Sequence, residues 1–247
     1  MSIFIIPMAG LSSRFFKAGY KKPKYQLQIN GESMFSWSVK SFAKYFKEDT
    51  FIFVCRDIYD TPNFVNNEIN LLGISNSYIV CLEHETRGQA ETVYMGLQQY
   101  LSSQSDKDNV SDELFIFNID SKIIDFEKPN FLGSCDGYLE VFEEKGEHWS
   151  FVLPGDNNIV RKTTEKDRIS NFCSDGLYYF KSVNEYMELF ELNLKQNKFV
   201  KNELYIAPMY NDLIANGCVI KYNLINRKKV IICGTPKEYT EMIGVAE

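Results

Sequence analysis

The sequence predicts a three-layer α/β/α fold: a doubly wound, mostly parallel central sheet whose second half turns antiparallel. Three observations carry this. Four short runs rich in Ile, Val and Phe, at residues 3–8, 51–56, 78–82 and 114–119, are continuous rather than alternating, as strands buried on both faces are. Helical patterns fill the gaps between them, which is the grammar of right-handed strand-helix-strand crossovers. After Asp120 the texture changes to shorter strand-like runs separated by turns.

Taken in order, the first strand empties into Ala9-Gly10-Leu11-Ser12-Ser13-Arg14. After the Asn30-Gly31 turn, Phe35, Val39, Phe42 and Phe46 fall on one helical face. Thr61-Pro62 offers an N-cap followed by a first-turn proline, and Gly73 suits the C-terminal end of that helix. Val93, Leu97 and Leu101 mark a third helix starting near Gln89. In the second half, residues 137–142 and 149–153 read as strands, 154–158 as a turn, 159–166 as the returning strand and 175–180 as another strand. Helices are expected over 184–195 and 205–216, the latter closed by Gly217. Strands over 219–224 and 230–233 and a helix from Pro236 complete the chain. With no internal repeat and no long linker, 1–247 reads as a single domain, its halves meeting at residue 120. The polar stretch 102–112 is the expected mobile loop.

Composition bounds the function. A net charge of −6 argues against a nucleic-acid backbone binder or a membrane-surface protein, so any phosphate binding must be local. At 247 residues and 45% hydrophobic the chain can bury a sizeable core. The six cysteines are scattered, with no CxxC pair and no histidine at zinc-ligand spacing, and read as buried reduced thiols. No apolar run approaches the ~18 to 20 residues of a membrane span. There is no signal-peptide pattern at the N-terminus, so a soluble cytoplasmic protein is expected.

The opening stretch carries the chemistry. Small residues at the carboxyl end of a buried strand lie where ligands bind in open α/β sheets. Gly10 and Ala9 let a phosphate approach the backbone, whose successive N–H groups can cradle it. Ser12 and Ser13 add hydroxyls, Arg14 a two-pronged grip on phosphate oxygens, and Lys24 a compact charge. An ordinary loop with solvated basic residues is the competing reading, because neither GxGxxG nor GxxxxGK[ST] is present.

Residues 5–14, then Lys22-Pro23-Lys24, then Asn30-Gly31-Glu32-Ser33-Met34 resemble the signature of the sugar-phosphate nucleotidyltransferases: apolar strand, A-G-x-x-[ST]-R, a lysine beside proline, then a glycine-containing turn. Lys24 keeps the family lysine's spacing to its glycine, and is preferred to Lys22. Arg87-Gly88-Gln89-Ala90-Glu91-Thr92-Val93 resembles the segment that lines the nucleotide base. Asn118-Ile119-Asp120 stands at the strand whose aspartate holds magnesium. Thr164-Glu165-Lys166 and Asp175-Gly176-Leu177-Tyr178-Tyr179-Phe180 resemble the pair of segments that grips the phosphorylated substrate. Residues 230–239 resemble a D-x-G-T-P-x-x-Y segment, except that Ile232 replaces the aspartate that supplies a second metal ligand in many members.

The resemblance implies a GT-A-like, Rossmann-like nucleotide-binding fold. The reaction it implies is attack of an acceptor phosphate on the α-phosphorus of a nucleoside triphosphate, CTP slightly favoured, with release of pyrophosphate, for surface polysaccharide synthesis. Arg14 and Lys24 would stabilise the reacting phosphates; Ala9, Gly10, Ser12, Ser13, Gly88 and Gln89 would hold the nucleotide. Glu165, Lys166 and Gly176 would hold the small phosphorylated acceptor, and Asp120 would hold Mg²⁺, completed by water and phosphates or by another carboxylate. Two other readings compete: a glycosyltransferase of the same architecture using N-x-D for metal, and a non-catalytic nucleotide-binding protein suggested by Ile232. Oligomeric state is left open. His84 and His148 stand alone in polar segments and receive no catalytic role, and Tyr178-Tyr179 read as core.

Overall fold

In the computed structural model, which describes residues 2–104, 111–200 and 203–244, the first apolar run becomes a central strand. β1 (Ser2–Pro7) sends Ile3 and Ile5 to one face and Phe4 and Ile6 to the other. All four side chains are fully buried, so the strand has no polar face and reads as a continuous apolar run. β4 (Thr50–Arg56), β5 (Asn76–Leu82) and β6 (Glu113–Phe117) repeat the pattern, and the order β6-β1-β4-β5 is parallel throughout. Loops leaving the carboxyl ends of these strands therefore converge on one edge of the sheet.

Between the strands lie α1 (Ser13–Lys17), a small β2–β3 hairpin (Gln28–Ile29 and Glu32–Ser33), α2 (Met34–Val39), α3 (Thr61–Leu72) and α4 (Gln89–Ser103). Phe35, Val39, Val65 and Ile69 of α2 and α3 pack on the Phe4 face. Val93 and Leu97 of α4 pack on the Ile5 face, joined there by α5 (Val183–Lys195) and α6 (Tyr210–Ala215). The three expected layers are thus present. The helix expected after Asn30-Gly31 is interrupted: α2 gives way to a 3₁₀ turn over Lys40–Tyr45 in which Phe42 has φ −108° and ψ 22°. Ring contacts hold that aromatic stripe instead, with Phe42 4.8 Å from Phe4 and 4.9 Å from Phe117. At α3 the N-cap is Asp60, in the left-handed region, and Thr61 is the first helical residue, its hydroxyl donating to the Ile58 carbonyl. Gly73 ends that helix at φ +69° as expected.

In the second half β11 (Phe172–Phe180) runs antiparallel to β6 and to β8 (Gly137–Glu143). The β9–β10 hairpin (Ser150–Pro154 and Val160–Glu165) adds to one end of β11, and β12 (Ile220–Leu224) pairs parallel with β8, giving a nine-stranded sheet. β7 (Ser121–Ile123) and β13 (Val230–Ile232) form a separate two-stranded ribbon, followed by α7 (Pro236–Met242). The helix expected from Tyr205 starts later. Pro208 sits in the first turn of a 3₁₀ segment, Ala207–Met209, that leads into α6, and Tyr205 lies outside it.

All six cysteines are free thiols. Four are buried as expected; Cys81 is exposed because β5 is the edge of the sheet, and Cys218 is half-buried. Of the expected loop 102–112, residues 105–110 lie outside the described residues. Among the described residues no helix is long and apolar enough to cross a membrane.

Candidate active site

Beyond Pro7 the chain runs one residue further along β4, the Met8 N–H donating to the Val54 carbonyl at 2.8 Å, and then crosses the edge of the sheet. No backbone carbonyl of the described residues accepts the N–H of Ala9, Gly10 or Leu11. A Cβ at Gly10 would meet nothing within 4 Å. Donors without acceptors beside empty space suit an anion.

Ser12 adopts φ 51° at the start of α1, and its hydroxyl accepts the Lys24 N–H at 3.1 Å. It therefore fixes the lysine segment to the loop rather than lining the cleft. Ser13 and Arg14 line the cleft, and Lys24 reaches into it from a 3₁₀ turn. Lys24 Nζ donates to Asp120 Oδ2 at 2.5 Å, both side chains being about four-fifths buried. Burial pushes the Asp120 carboxyl up, but the Lys24 ammonium and its hydrogen bond, with a smaller contribution from Arg14, outweigh it and hold the group below its usual range. Lys22 is exposed and outside the cleft lining.

The opposite wall is the start of α4. Gly88 has φ +135°, and a Cβ there would stand 2.6 Å from the Leu204 carbonyl oxygen. Leu204 N–H donates to the Arg87 carbonyl at 2.8 Å, and Ala90 N–H to the Leu204 carbonyl at 3.1 Å. The Arg87 guanidinium is taken by Glu91. The Gln89 amide donates to the Asn118 side-chain oxygen, and the Asn118 backbone N–H donates to the Gly176 carbonyl at 3.3 Å. Gly176 is buried with φ +95°, and a Cβ would lie 2.5 Å from Asn118 Nδ2. Its place in the structure is under Asn118.

Ala9, Gly10, Ser13, Arg14, Lys24, Gly88, Gln89 and Asp120 thus line one cleft of about 580 Å³, drawn from four stretches of sequence. Ser12, Glu165, Lys166 and Gly176 are not in its lining. Glu165 is buried, bonded to the Ser150 hydroxyl, and burial pushes its carboxyl up. Lys166 donates to the Tyr205 hydroxyl at 2.5 Å, lies 4.4 Å from the centre of that ring and 3.7 Å from Glu165. Tyr178 and Tyr179 face opposite sides of β11 and both are buried core. His84 and His148 are exposed.

Sequence reasoning missed Glu203, which lines the cleft, and the Leu204–Tyr205 pair beside it. Only Pro208, a marker of where the next helix begins, could have detached Tyr205 from it.

Ile232 pairs with Ser121 in the ribbon, the Cys233 N–H donates to the Asp120 carbonyl at 2.8 Å, and a Cβ on Gly234 would stand 3.0 Å from Asp120 Oδ2. Glu238 on this segment is engaged in the capping box of α7. Among the described residues no group of three His, Cys, Asp or Glu side chains could hold a metal. The cleft lining holds three carboxylates, Glu85, Asp120 and Glu203, which form no joint ligand cluster, so a cation there would meet a single carboxylate such as Asp120 beside a phosphate-sized space. That fits a small hard ion bound mainly through substrate phosphates and water.

No protein-family model and no curated protein matches the chain. Solved structures do. A nucleoside-diphosphate-sugar pyrophosphorylase from Vibrio cholerae RC9 is 45% identical with a TM-score of 0.91, covering 98% of this chain and 99% of that one. The inositol-1-phosphate CTP transferase of T. maritima shares the fold at 14% identity, with a TM-score of 0.70 and coverage of 99% and 95%. The CTP:phosphocholine cytidylyltransferase of Streptococcus pneumoniae shares it at 12% identity, with a TM-score of 0.73 and coverage of 100% and 99%.

Proposed function

The chain belongs to the sugar-phosphate nucleotidyltransferases, and we propose that within that family its cleft couples CTP to a small phosphorylated sugar, polyol or similar acceptor, releasing pyrophosphate. The observation that carries this is the convergence of the Ala9–Leu11 N–H groups, which have no backbone acceptor among the described residues, with Arg14, Lys24 and Asp120 on one side of the cleft and Gly88 and Gln89 on the other. The backbone N–H groups and Ser13 bind the triphosphate, and Gly88 and Gln89 meet the base.

The acceptor phosphate is already anionic at neutral pH, so the protein need not remove a proton from it. Its task is to hold two repelling anions in line and to neutralise charge as it develops on the leaving pyrophosphate. Arg14, exposed and without an ion pair among the described residues, is free to do this. Lys24 exchanges the Asp120 carboxylate for a phosphate oxygen. Asp120, so released, would hold Mg²⁺, which would supply further charge neutralisation on phosphate oxygens. Glu165 and Lys166 serve the acceptor side. Similarity at 45% identity to a nucleoside-diphosphate-sugar pyrophosphorylase supports the nucleotidyl transfer, and CTP as the nucleotide and a role in surface polysaccharide synthesis in the cytoplasm are part of the same proposal.

A thermal-shift screen of the four ribonucleoside triphosphates with Mg²⁺, followed by pyrophosphate release with candidate acceptor phosphates, is the test. CTP is expected to raise the melting temperature most. Pyrophosphate release dependent on another triphosphate alone would overturn the nucleotide assignment.

A further inference from the structure

The short segment from Glu203 to Tyr205 touches both substrate halves of the molecule, although neither substrate's motifs contain it. Its backbone is locked to the nucleotide loop. Leu204 exchanges two hydrogen bonds with Arg87 and Ala90, at 2.8 and 3.1 Å, across the glycine whose missing Cβ makes that approach possible. The Tyr205 side chain reaches the other way. The Tyr205 hydroxyl accepts from Lys166 Nζ at 2.5 Å and the ammonium lies 4.4 Å from the ring centre; burial, and then the Glu203 carboxylate, push the hydroxyl up. Lys166 itself follows the last residue of β10 with φ +55°, a conformation that ordinary side chains enter reluctantly, and its N–H is held by the Trp149 carbonyl at 2.9 Å. Its backbone is therefore fixed by the sheet, while its charge is placed by Tyr205.

We propose that Tyr205 is a positioning residue that sets the acceptor-side lysine according to whether the nucleotide loop is occupied. A nucleotide seated on Gly88 presses on the segment to which the Leu204 backbone is hydrogen-bonded. Because Leu204 and Tyr205 are consecutive, any shift there moves the hydroxyl and ring against which Lys166 rests. The ammonium then turns from an internal partner towards the incoming phosphate. Coupling of this kind is reciprocal, so an acceptor phosphate drawing Lys166 away from Tyr205 also favours the nucleotide-bound loop. The idea rests on the proposed division of the molecule into a nucleotide side at Gly88 and an acceptor side at Lys166.

Hydrogen-exchange mass spectrometry on the full chain, with each of the four ribonucleoside triphosphates plus Mg²⁺ and no acceptor, tests it. The triphosphate that protects residues 87–90 is expected to change exchange at both 203–206 and 163–167 in the wild type, by roughly fivefold. In Tyr205→Leu the change at 163–167 is expected to vanish, while that at 87–90 persists. Tyr205→Phe keeps the ring and loses the hydroxyl, and is expected to restore part of it and to show that the chain still folds. Protection of 87–90 with no change at 163–167 in the wild type, or with the change intact in Tyr205→Leu, overturns the coupling and leaves the nucleotide site standing. Protection of 87–90 by none of the four overturns both.

Discussion

Lys24 and Asp120 are each other's counter-ion, and in the proposed reaction each is also wanted by something else: the lysine by a phosphate, the aspartate by a metal. Arg14 has no such internal partner among the described residues. Removing either cation is expected to cost about 3 kcal/mol of transition-state stabilisation, on the order of a hundredfold in pyrophosphate release. The two variants should differ in stability. Arg14→Ala takes away an exposed side chain and should melt like the wild type, whereas Lys24→Ala leaves a mostly buried carboxylate unpaired and should melt lower. Because the Asp120 carboxyl lies below its usual range, the pair's contribution is complete above the ordinary carboxylate value and is lost as pH falls through the lower, folded-state value. Between Arg14→Ala and Lys24→Ala, the melting-temperature gap should therefore close in strong acid. Equal melting temperatures at neutral pH would show that the Lys24–Asp120 contact contributes nothing to the fold.

At the scale of elements, two glycines of the cleft make opposite demands. Among the described residues nothing lies within 4 Å of a Cβ at Gly10, while Gly88 faces the Leu204 backbone at a φ that side chains avoid. Gly10→Ala should therefore fold with an unchanged melting temperature and lose at least about tenfold in nucleotide affinity, since its new methyl group competes only with ligand. Gly88→Ala should lose both, because Leu204 has to move before α4 can start. Calorimetric titration of CTP, beside a melting curve, separates the two; a destabilised Gly10→Ala would mean that the open loop is packed after all. The same contrast explains what the sequence could reveal. β1, β4, β5 and β6 were legible because strands buried on both faces leave a continuous apolar run. Ala9 to Arg14 was legible because small residues after such a run have few structural uses. The pairing of Leu204 with Arg87 and Ala90 joins residues more than a hundred positions apart through backbone atoms, which leaves no side-chain pattern to read. For the same reason Tyr205 passed for the start of a helix, and the ribbon that brings Ile232 beside Asp120 could only be inferred by resemblance.

On the scale of the whole molecule, β11 joins the halves: it pairs with β6 of the parallel set and with β8 and β9 of the antiparallel one. Where it meets β8, two carboxyls are buried together, Glu140 at 1% and Asp175 at 2% exposure, one residue before the glycine that packs under Asn118. Asn223 donates to Glu140 at 2.8 Å and the Leu177 N–H to Asp175 at 2.9 Å, but these bonds do not compensate two charges. Burial pushes Glu140 up to about 7, and burial together with the neighbouring Glu140 pushes Asp175 well above the carboxylate range, so near neutrality the pair keeps a proton between them. Glu185, at the start of α5, is also pushed up to about 7 by burial. The sign of the consequence is fixed. At any pH between the ordinary carboxylate value and about 7, the folded chain holds protons that the unfolded chain has released, so stability falls as pH rises through that window. Carboxyls held low, such as Asp120, change only below the window and cannot mask the slope. Melting temperatures measured from about pH 5 to pH 8 should therefore decline towards neutrality in the wild type, less steeply in Glu140→Gln and in Glu185→Gln, and least in the double variant. A wild-type curve that is flat or rising between pH 5 and 7 would mean that these carboxyls ionise in the folded chain as they do in water, and that the junction at β11 is wetter than its burial indicates.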